Sequence, residues 1–419
     1  MPRDSRRSSR SAPRRSAGSE LAPAMTAERL IGLLERGRGA WLAPAIAAAL
    51  AVLPGIPWSV PAADGVPFVV AWATVVIVAT IAVTGLLGRR PTGFEAIPIV
   101  VGAAILVGDL TLLPTQGLRD LDLYLRAGSA WANGQPAYLD HLLTEVPADR
   151  TQYPFNYPPL TLPLFGALAV LPKVVVHAGW LAMSAGLALV ALRAFGLSWR
   201  WALAALLWRP FAEGLWVGNV AVPLLAAFAL APRAGALLAV PGLFKVYAAI
   251  PAAWLLRERR WRDATLGAAV VVIAVVATLP LVGVDAWRAW LAGLAWWEAS
   301  IPILQGYGSG IALGKWLGLP IALLAAAVAF AFAIRARGRE GLWRLGVVTP
   351  MASPSVFSHG LLTALPALLE LRPVVLWLAI ASAAATPGPV FWVAAALAAA
   401  SWFVPALRRQ PAAAVTERS

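Results

Sequence analysis

Hydrophobic residues run along this chain in long unbroken stretches, separated by short polar segments rich in arginine. Trp41–Pro57, Val66–Leu87 and Phe94–Leu113 are the first three such stretches. An α-helix needs roughly 17–25 apolar residues to cross a hydrocarbon core of about 30 Å, and these stretches have that length. The pattern over the whole chain predicts an all-α polytopic membrane protein, a bundle of about twelve transmembrane helices.

The later apolar stretches complete the predicted bundle. The crossings predicted there are Val174–Leu192, Trp201–Phe211, Leu215–Leu230, Thr265–Val284, Ile311–Ile334, Leu342–Phe357, Gly360–Leu371, Val374–Ala385 and Val390–Leu407. Gly235–Leu256 contains prolines and Lys245, which predicts one broken span or two half-helices. Leu160–Leu171 is short for a crossing and predicts a helix lying on the outer leaflet. A second outer loop is predicted around Trp287–Tyr307.

The longest polar interruption is Asp120–Pro159, within a predicted loop that covers residues 114–159. The carboxylates in it or beside it are Asp120, Asp122, Asp140, Glu145 and Asp149, and aromatic and proline residues surround them. A long segment inside a compact helical protein is usually functional or disordered, and this density of aromatic residues is not typical of disorder. The composition therefore predicts a reactive loop that carries short juxtamembrane helices.

Composition agrees with the membrane class. The chain is 60% hydrophobic and only 13% charged, which lies outside the range of soluble globular proteins. Its net charge of +14 comes from arginine tracts between apolar stretches, where they set orientation and contact lipid headgroups, so nucleic-acid binding is rejected. There is no cysteine, and the three histidines lack metal-ligand spacing, so no disulfide and no metal site is predicted.

Charge also predicts the domain organisation and topology. Residues 1–38 are predicted to be a disordered basic cytoplasmic tail, 39–408 the transmembrane catalytic domain and 409–419 a short cytoplasmic tail. Because positive charge stays inside, the 114–159 loop is expected on the extracytoplasmic side. The predicted location is the cell (plasma) membrane, with multiple passes and an extracytoplasmic active site.

Several short motifs occur in a fixed order along the chain. They are D-x-x-x-Y at Asp120–Tyr124, G-x-x-x-Y at Gly134–Tyr138, FNYPPL at Phe155–Leu160, GLWVGN at Gly214–Asn219, FKVYAAIP at Phe244–Pro251 and SPSVFSHG at Ser353–Gly360. This order resembles glycosyltransferase family 87, polyprenol-phosphate-dependent mannosyltransferases of the GT-C fold. The chain departs from the family pattern where Gly218 and Asn219 stand without the adjoining glutamine, where Pro251 follows Lys245 late, and where Phe357 replaces a tryptophan.

The resemblance implies an inverting glycosyltransferase that uses a polyprenyl-phosphate sugar. Inverting transfer needs one carboxylate as general base, while hydrogen-bonding or cationic groups take the charge that develops on the leaving phosphate. The family register makes Asp120 the expected base and Asp122 the alternative, since a small error in register exchanges them. Either carboxylate could instead solvate the loop or cap a helix.

Lys245, His359 and Asn219 are the residues that the resemblance implies for the donor phosphate. A lysine within an apolar span is costly and is a functional hypothesis by default. Lys245 could instead extend to the membrane interface or pair with Glu213. His359 could instead be a buried histidine bonded to a backbone carbonyl.

Aromatic and proline residues are expected to shape the loop and the substrate site. The residues expected in this role are Tyr124, Tyr138, Tyr157, Pro158 and Pro159. Paired prolines exclude a helical residue before them, so they fix how the next helix begins. Trp131, Trp296 and Trp297 are candidates for stacking on a sugar.

A transporter or flippase for a lipid-linked sugar is the competing interpretation, and an inactive scaffold of the same fold is a third. Transporters concentrate ionisable residues at the membrane midplane, whereas the acids here concentrate in one predicted outer loop. The transferred sugar is expected to be mannose first and arabinofuranose second. The expected partners are a lipid-linked sugar donor, a glycolipid or glycan acceptor and membrane lipids, with no separate cofactor and no nucleic acid.

Overall fold

The computed structural model describes residues 117–147, 153–206, 208–304, 312–384 and 389–409. The α-helices are α1 (Arg119–Ala132), α2 (Leu162–Ala169), α3 (Lys173–Ala194), α4 (Trp199–Ala205), α5 (Arg209–Val217), α6 (Ala221–Leu230), α7 (Ala239–Phe244), α8 (Ala253–Arg257), α9 (Trp261–Leu304), α10 (Leu313–Leu317), α11 (Leu319–Ala333), α12 (Gly338–Met351), α13 (Leu365–Leu369), α14 (Pro373–Ala384) and α15 (Trp392–Ala400). The 3₁₀ helices are Pro159–Thr161, Gly235–Leu238, Val246–Ala252, Ser358–Ala364, Pro389–Phe391 and Pro405–Leu407. These ranges hold no β-strand beyond one isolated bridge, so the all-α prediction is confirmed.

Two of the described helices, α3 and α9, are long and apolar enough to cross a membrane. Most of their apolar side chains are exposed, as expected for a surface that faces lipid rather than a protein core. The bundle of about twelve spans is not confirmed, because the other described helices are shorter. The predicted spans Trp41–Pro57, Val66–Leu87 and Phe94–Leu113, and residues 1–38 and 410–419 of the predicted tails, lie outside the described residues.

Glycine and proline break several stretches that the sequence pattern predicts as continuous crossings. The predicted span Leu215–Leu230 is wrong as one helix, because Gly218 takes a left-handed conformation (φ 73°) between α5 and α6. The predicted span Ile311–Ile334 is likewise divided at Gly318 (φ 79°) between α10 and α11. The predicted span Trp201–Phe211 falls into α4 and the start of α5. The pattern of apolar residues continues through these breaks and so does not predict them. Glycine allows them because its backbone can adopt positive φ.

Helix α9 overturns the predicted second outer loop. It runs through 44 residues with one interruption at Gly283 (φ 74°, ψ 160°), three residues after Pro280. Proline lacks a backbone N–H and glycine accepts positive φ, so the helix changes direction there. The predicted loop around Trp287–Tyr307 is therefore helical as far as Leu304, and residues 305–311 lie outside the described part of the chain.

Two hydrophobic clusters stabilise the fold. The larger one joins α3 through α6 with α11 through α15. The smaller one forms around α1 and α2 and is rich in aromatic residues, with Tyr124, Phe155 and Phe165 in mutual contact. Trp287 and Trp290 in the second half of α9 pack against this smaller cluster. The kink in α9 thus brings its second half over the segment that carries the first three sequence motifs.

Gly128 and Gly166 allow α1 and α2 to lie in close contact. A Cβ atom on Gly128 would lie 2.3 Å from the backbone nitrogen of Gly166 and 2.4 Å from the carbonyl carbon of Phe165. Real Cβ contacts are never that short, so only glycine fits at this crossing. The position of α1, and with it the position of Asp120, therefore depends on the absence of a side chain.

Arginine-rich segments at 257–262, 335–339 and 408–409 lie close together and form an arginine-rich face. Arg257 donates through Nε to the carbonyl oxygen of Ile334 at 2.9 Å, and Arg408 lies 2.7 Å from the Glu340 carboxylate. Burial opposes ionisation of Glu340, but hydrogen bonds from Arg408 and Arg344 outweigh it and lower the pKa of that carboxyl. The first half of α9 leaves this arginine-rich face and extends about 33 Å, at 1.5 Å per residue, before the kink.

Candidate active site

A cavity of about 490 Å³ lies between α1, residues 153–158, the end of α7, the second half of α9 and residues 354–360. Its polar lining, named here the polar cluster, comprises Arg119, Asp120, Tyr124, Tyr157, Asn219, Lys245, Tyr247 and His359. Its apolar lining includes Leu123, Phe244, Val246, Trp290, Leu294, Trp297, Val356 and Phe357. The cavity is large enough for a small-molecule substrate and combines apolar walls with a few polar groups, as ligand sites usually do.

Asp120 lies in the first turn of α1 and lines the cavity. Its Oδ2 atom accepts a hydrogen bond of 2.6 Å from Nδ2 of Asn219, and its Oδ1 atom lies 3.4 Å from Nε of Arg119. The Asp120 side chain is 22% exposed, so one side of the carboxylate is open to the cavity. This is the placement that a general base needs: oriented by neighbours and accessible to a substrate hydroxyl.

The turn at Gly218 and Asn219 orients Asp120. A Cβ atom on Gly218 would lie 2.9 Å from Cβ of Leu121, so glycine permits both the left-handed turn and the close approach to α1. Asn219 uses its Oδ1 atom to accept the backbone N–H of Ala221 at 2.9 Å, which leaves Nδ2 directed at Asp120. Trp180 donates to the carbonyl oxygen of Gly218 at 2.9 Å and secures the turn.

Asp122 points to a different part of the molecule. Two residues along an α-helix correspond to about 200° of rotation, so Asp120 and Asp122 lie on different faces of α1. Asp122 is bonded to Nε2 of His177 at 2.7 Å and to Nζ of Lys173 at 2.8 Å, both on α3. It does not line the cavity around Asp120. The structure therefore separates the two carboxylates that the sequence leaves as alternatives.

Tyrosines from three motifs join behind Asp120. The hydroxyls of Tyr124 and Tyr157 are 2.7 Å apart, and the Tyr138 hydroxyl donates to the carbonyl oxygen of Tyr157 at 3.2 Å. Burial, the neighbouring hydroxyl and the Asp120 charge raise the pKa of Tyr124, and burial raises the pKa of Tyr157. Both phenols therefore stay protonated and act as hydrogen-bonding groups. Pro158 and Pro159, predicted to shape this segment, are buried where the next helix begins.

Lys245 follows the last residue of α7 and has extended backbone (φ −137°, ψ 111°) between two helical segments. Its Nζ atom lies 3.5 Å from Oδ1 of Asn219 and 5.7 Å from the centre of the Tyr157 ring. The break predicted within Gly235–Leu256 is present, because helical segments end and begin on either side of Lys245. Glu213, the alternative partner, instead contacts Ser358 and lies 3.6 Å from Arg209.

His359 is 3% exposed and lines the same cavity as Lys245. Its Nδ1 atom is buried and has no hydrogen-bond partner among the described residues, and its ring stacks on Phe357 at 6.0 Å. Burial, together with the charges of Lys245 and Arg119, lowers the pKa of His359 well below its usual range, so the imidazole is neutral. The predicted backbone partner for this nitrogen is therefore not found in the described residues.

The tryptophan candidates divide between the cavity and other surfaces. Trp297 lines the cavity, Trp296 is 40% exposed, and Trp131 contacts Gly166. Sequence reasoning missed Trp290, which lines the cavity and donates to the carbonyl oxygen of Asn156 at 3.1 Å. The sequence does contain a signal for Trp290: its spacing from Leu294 and Trp297 places the three apolar side chains on one face of a helix. Arg119, directly before the first motif, was also missed.

The helical fold and this cavity define an enzyme-like site, in which a carboxylate, an amide and cations converge beside apolar walls. The family comparison gives its class. Residues 155–354, just under half of the chain, match the model of Glycosyltransferase family 87, and this match indicates glycosyltransferase activity. The match includes Tyr157, Asn219 and Lys245, while Asp120 and His359 lie outside its limits. No curated protein and no solved structure matches the chain.

Proposed function

We propose that this glycosyltransferase transfers a sugar with inversion from a polyprenyl-phosphate donor to a hydroxyl of a glycolipid or glycan, on the extracytoplasmic side of a membrane. Mannose is the first candidate sugar and arabinofuranose the second. The observation that carries the proposal is the convergence of Asp120 and Lys245 on one cavity, linked through the two ends of the Asn219 amide. The proposed base, Asp120, and the proposed phosphate-binding cation, Lys245, thus contact opposite ends of the Asn219 side chain.

In this proposal Asp120 takes the proton of the acceptor hydroxyl while the acceptor oxygen attacks the anomeric carbon. The bond between that carbon and the phosphate oxygen breaks, and its electron pair stays on the phosphate. Lys245 and the neutral imidazole of His359 lie in the same cavity to bind this phosphate. Donors already held in place stabilise developing charge without rearranging, and this accounts for much of the power of such sites.

The apolar lining favours a lipid-linked donor over a water-soluble sugar nucleotide. Trp290, Leu294 and Trp297 present one face of α9 to the cavity, and Phe244 lines it beside Lys245. Burying isoprenoid carbons against such a wall contributes roughly 25 cal/mol per Å² of apolar surface. A sugar nucleotide could stack its base on a tryptophan but has no long apolar chain to bury along the rest of this wall.

The direct test incubates membranes that contain the protein with radiolabelled polyprenyl-phosphate mannose and, separately, polyprenyl-phosphate arabinose. We expect one of the two donors to label a lipid or glycan product, which is then identified by chromatography and mass spectrometry. Membranes with the Asp120→Asn variant are the matched control. Movement of intact donor across the bilayer without any transfer product would instead favour a flippase.

Lys245→Met should weaken use of the donor. Hydrogen bonds to charged groups contribute about 1.5–3 kcal/mol, so the donor concentration needed for half-maximal rate should rise roughly 10–150-fold. Lys173→Met is the matched control, because Lys173 is 65% exposed and contacts Asp122 outside the cavity. Unchanged donor saturation in folded Lys245→Met protein would remove Lys245 from the donor site.

The topology has its own test, made simple by the absence of native cysteine. Thr144 is exposed in the segment after α1, and Arg339 is exposed on the arginine-rich face. Since positive charge stays in the cytoplasm, we expect an impermeant maleimide to label Thr144→Cys on intact cells and Arg339→Cys only after permeabilisation. The opposite labelling pattern would invert the proposed orientation.

A further inference from the structure

Arg119 is a second cation of the cavity that no sequence motif assigns. It is the first residue of α1, lines the cavity, and its side chain is 18% exposed. Its Nε atom lies 3.4 Å from Oδ1 of Asp120, and its guanidinium carbon lies 5.9 Å from the centre of the Trp216 ring. The guanidinium thus lies between the Trp216 ring and the Asp120 carboxylate, beside the cavity.

Arg119 and Lys245 line the same cavity as His359. The positive charges of both bear on the buried ring of His359, whose Nδ1 atom has no partner in the described part of the chain. The polar cluster therefore contains two permanent cations and one carboxylate, Asp120. Without substrate these groups carry a net positive charge, which a single anionic phosphodiester would neutralise.

The proposed reaction changes these charges. A sugar phosphodiester donor carries one negative charge, whereas the phosphate monoester that leaves carries about −1.5 to −2 at neutral pH. The proton removed from the acceptor goes to Asp120, which becomes neutral as the phosphate gains its charge. The carboxylate then no longer competes for Arg119, and two cations remain for a nearly dianionic phosphate.

On the basis of the proposed function, we propose that Arg119 is a catalytic residue that binds the leaving phosphate as its second negative charge develops. Lys245 binds the phosphate in both donor and product, whereas Arg119 is shared with Asp120 until the proton is transferred. An interaction made only in the transition state and product raises the turnover rate rather than the affinity for the donor. An arginine suits this role because its planar guanidinium can bond two phosphate oxygens at once.

The test compares two ligands that differ by one charge, with no turnover required. Geranylgeranyl phosphate represents the product monoester and its methyl diester represents the donor. Monoester binding is measured in the Asp120→Asn background, which represents the protonated carboxyl of the product state, and diester binding is measured with Asp120 unaltered. Both are followed in detergent at pH 8 by microscale thermophoresis. We expect Arg119→Met to weaken monoester binding about 10–100-fold and diester binding less than about threefold. Lys245→Met should weaken both, and Arg288→Gln, whose side chain is 76% exposed on α9, should weaken neither.

Methionine keeps a long unbranched side chain without the charge, so the fold should survive, and Arg119→Gln serves as a second neutral variant. Arg119→Lys keeps the charge and should keep the preference for the monoester. In transfer assays Arg119→Met should lower kcat while leaving the KM for the donor nearly unchanged. If Arg119→Met weakened the binding of both ligands equally, or of neither, the proposed role of Arg119 would be wrong. Failure of the unaltered protein to bind either ligand would instead contradict the proposed donor.

Discussion

Asp120→Asn should reduce the rate of sugar transfer by about 10²–10⁴, the usual effect of losing a general base. The substitution keeps the size of the side chain, and its amide oxygen can still accept the hydrogen bond from Asn219. Folding and donor binding should therefore persist. The lost function is proton acceptance, since an amide oxygen is far less basic than a carboxylate.

Asp122→Asn is the matched control, two residues along the same helix. Asp122 contacts His177 and Lys173 outside the cavity, and Lys173 is 65% exposed. Because neither Asp122 nor its two partners line the cavity, Asp122→Asn should change the transfer rate by no more than a few-fold. The structure now gives a reason for this asymmetry that the motif register alone could not.

The measurement is single-turnover transfer in detergent, at matched protein concentration and with donor binding checked separately. Wild-type rates in both variants would show that neither carboxylate is the base. A large loss of transfer rate confined to Asp122→Asn would identify Asp122 as the base, and the cavity around Asp120 would then need another function.

Gly128→Ala should be among the most destabilising single changes in the described fold. The added methyl group would lie 2.3 Å from the backbone of Gly166, and backbone atoms cannot rotate away as a side chain can. Forcing extra volume into a close contact typically costs 1–3 kcal/mol, and we expect about 3 kcal/mol or more here, since α1 must separate from α2. Activity should fall too, because α1 carries Asp120.

Gly186→Ala is the control for this prediction. Gly186 lies in the middle of α3, and a Cβ atom there would meet nothing within 4 Å. Glycine inside a helix costs about 0.5–1 kcal/mol relative to alanine, so this variant should be as stable as the unaltered protein or slightly more stable. Thermal unfolding in detergent, followed by tryptophan fluorescence, compares the two variants. Equal unfolding temperatures would show that α1 and α2 are not closely packed.

Much of the candidate site could be predicted because short-range sequence order encodes it. The D-x-x-x-Y spacing selects Asp120, and the structure places that residue in a cavity with Asn219 and Lys245 from two later motifs. The break at Lys245 was predictable from the prolines around it, since proline lacks a backbone N–H and disfavours a continuous helix. The broken spans at Gly218 and Gly318 were not, because glycine within an apolar run is compatible with a continuous helix as well.

The all-α class and the match to glycosyltransferase family 87 follow from the sequence, since apolar periodicity and motif order are properties of the chain alone. Which carboxylate faces the cavity could be known only from the folded chain, because two residues of separation are ambiguous until the helix has neighbours on each face. The tertiary structure also shows that the second half of α9 covers the site and that Arg119 joins Lys245 there. Both depend on contacts between residues distant in sequence, which packing fixes and local pattern does not.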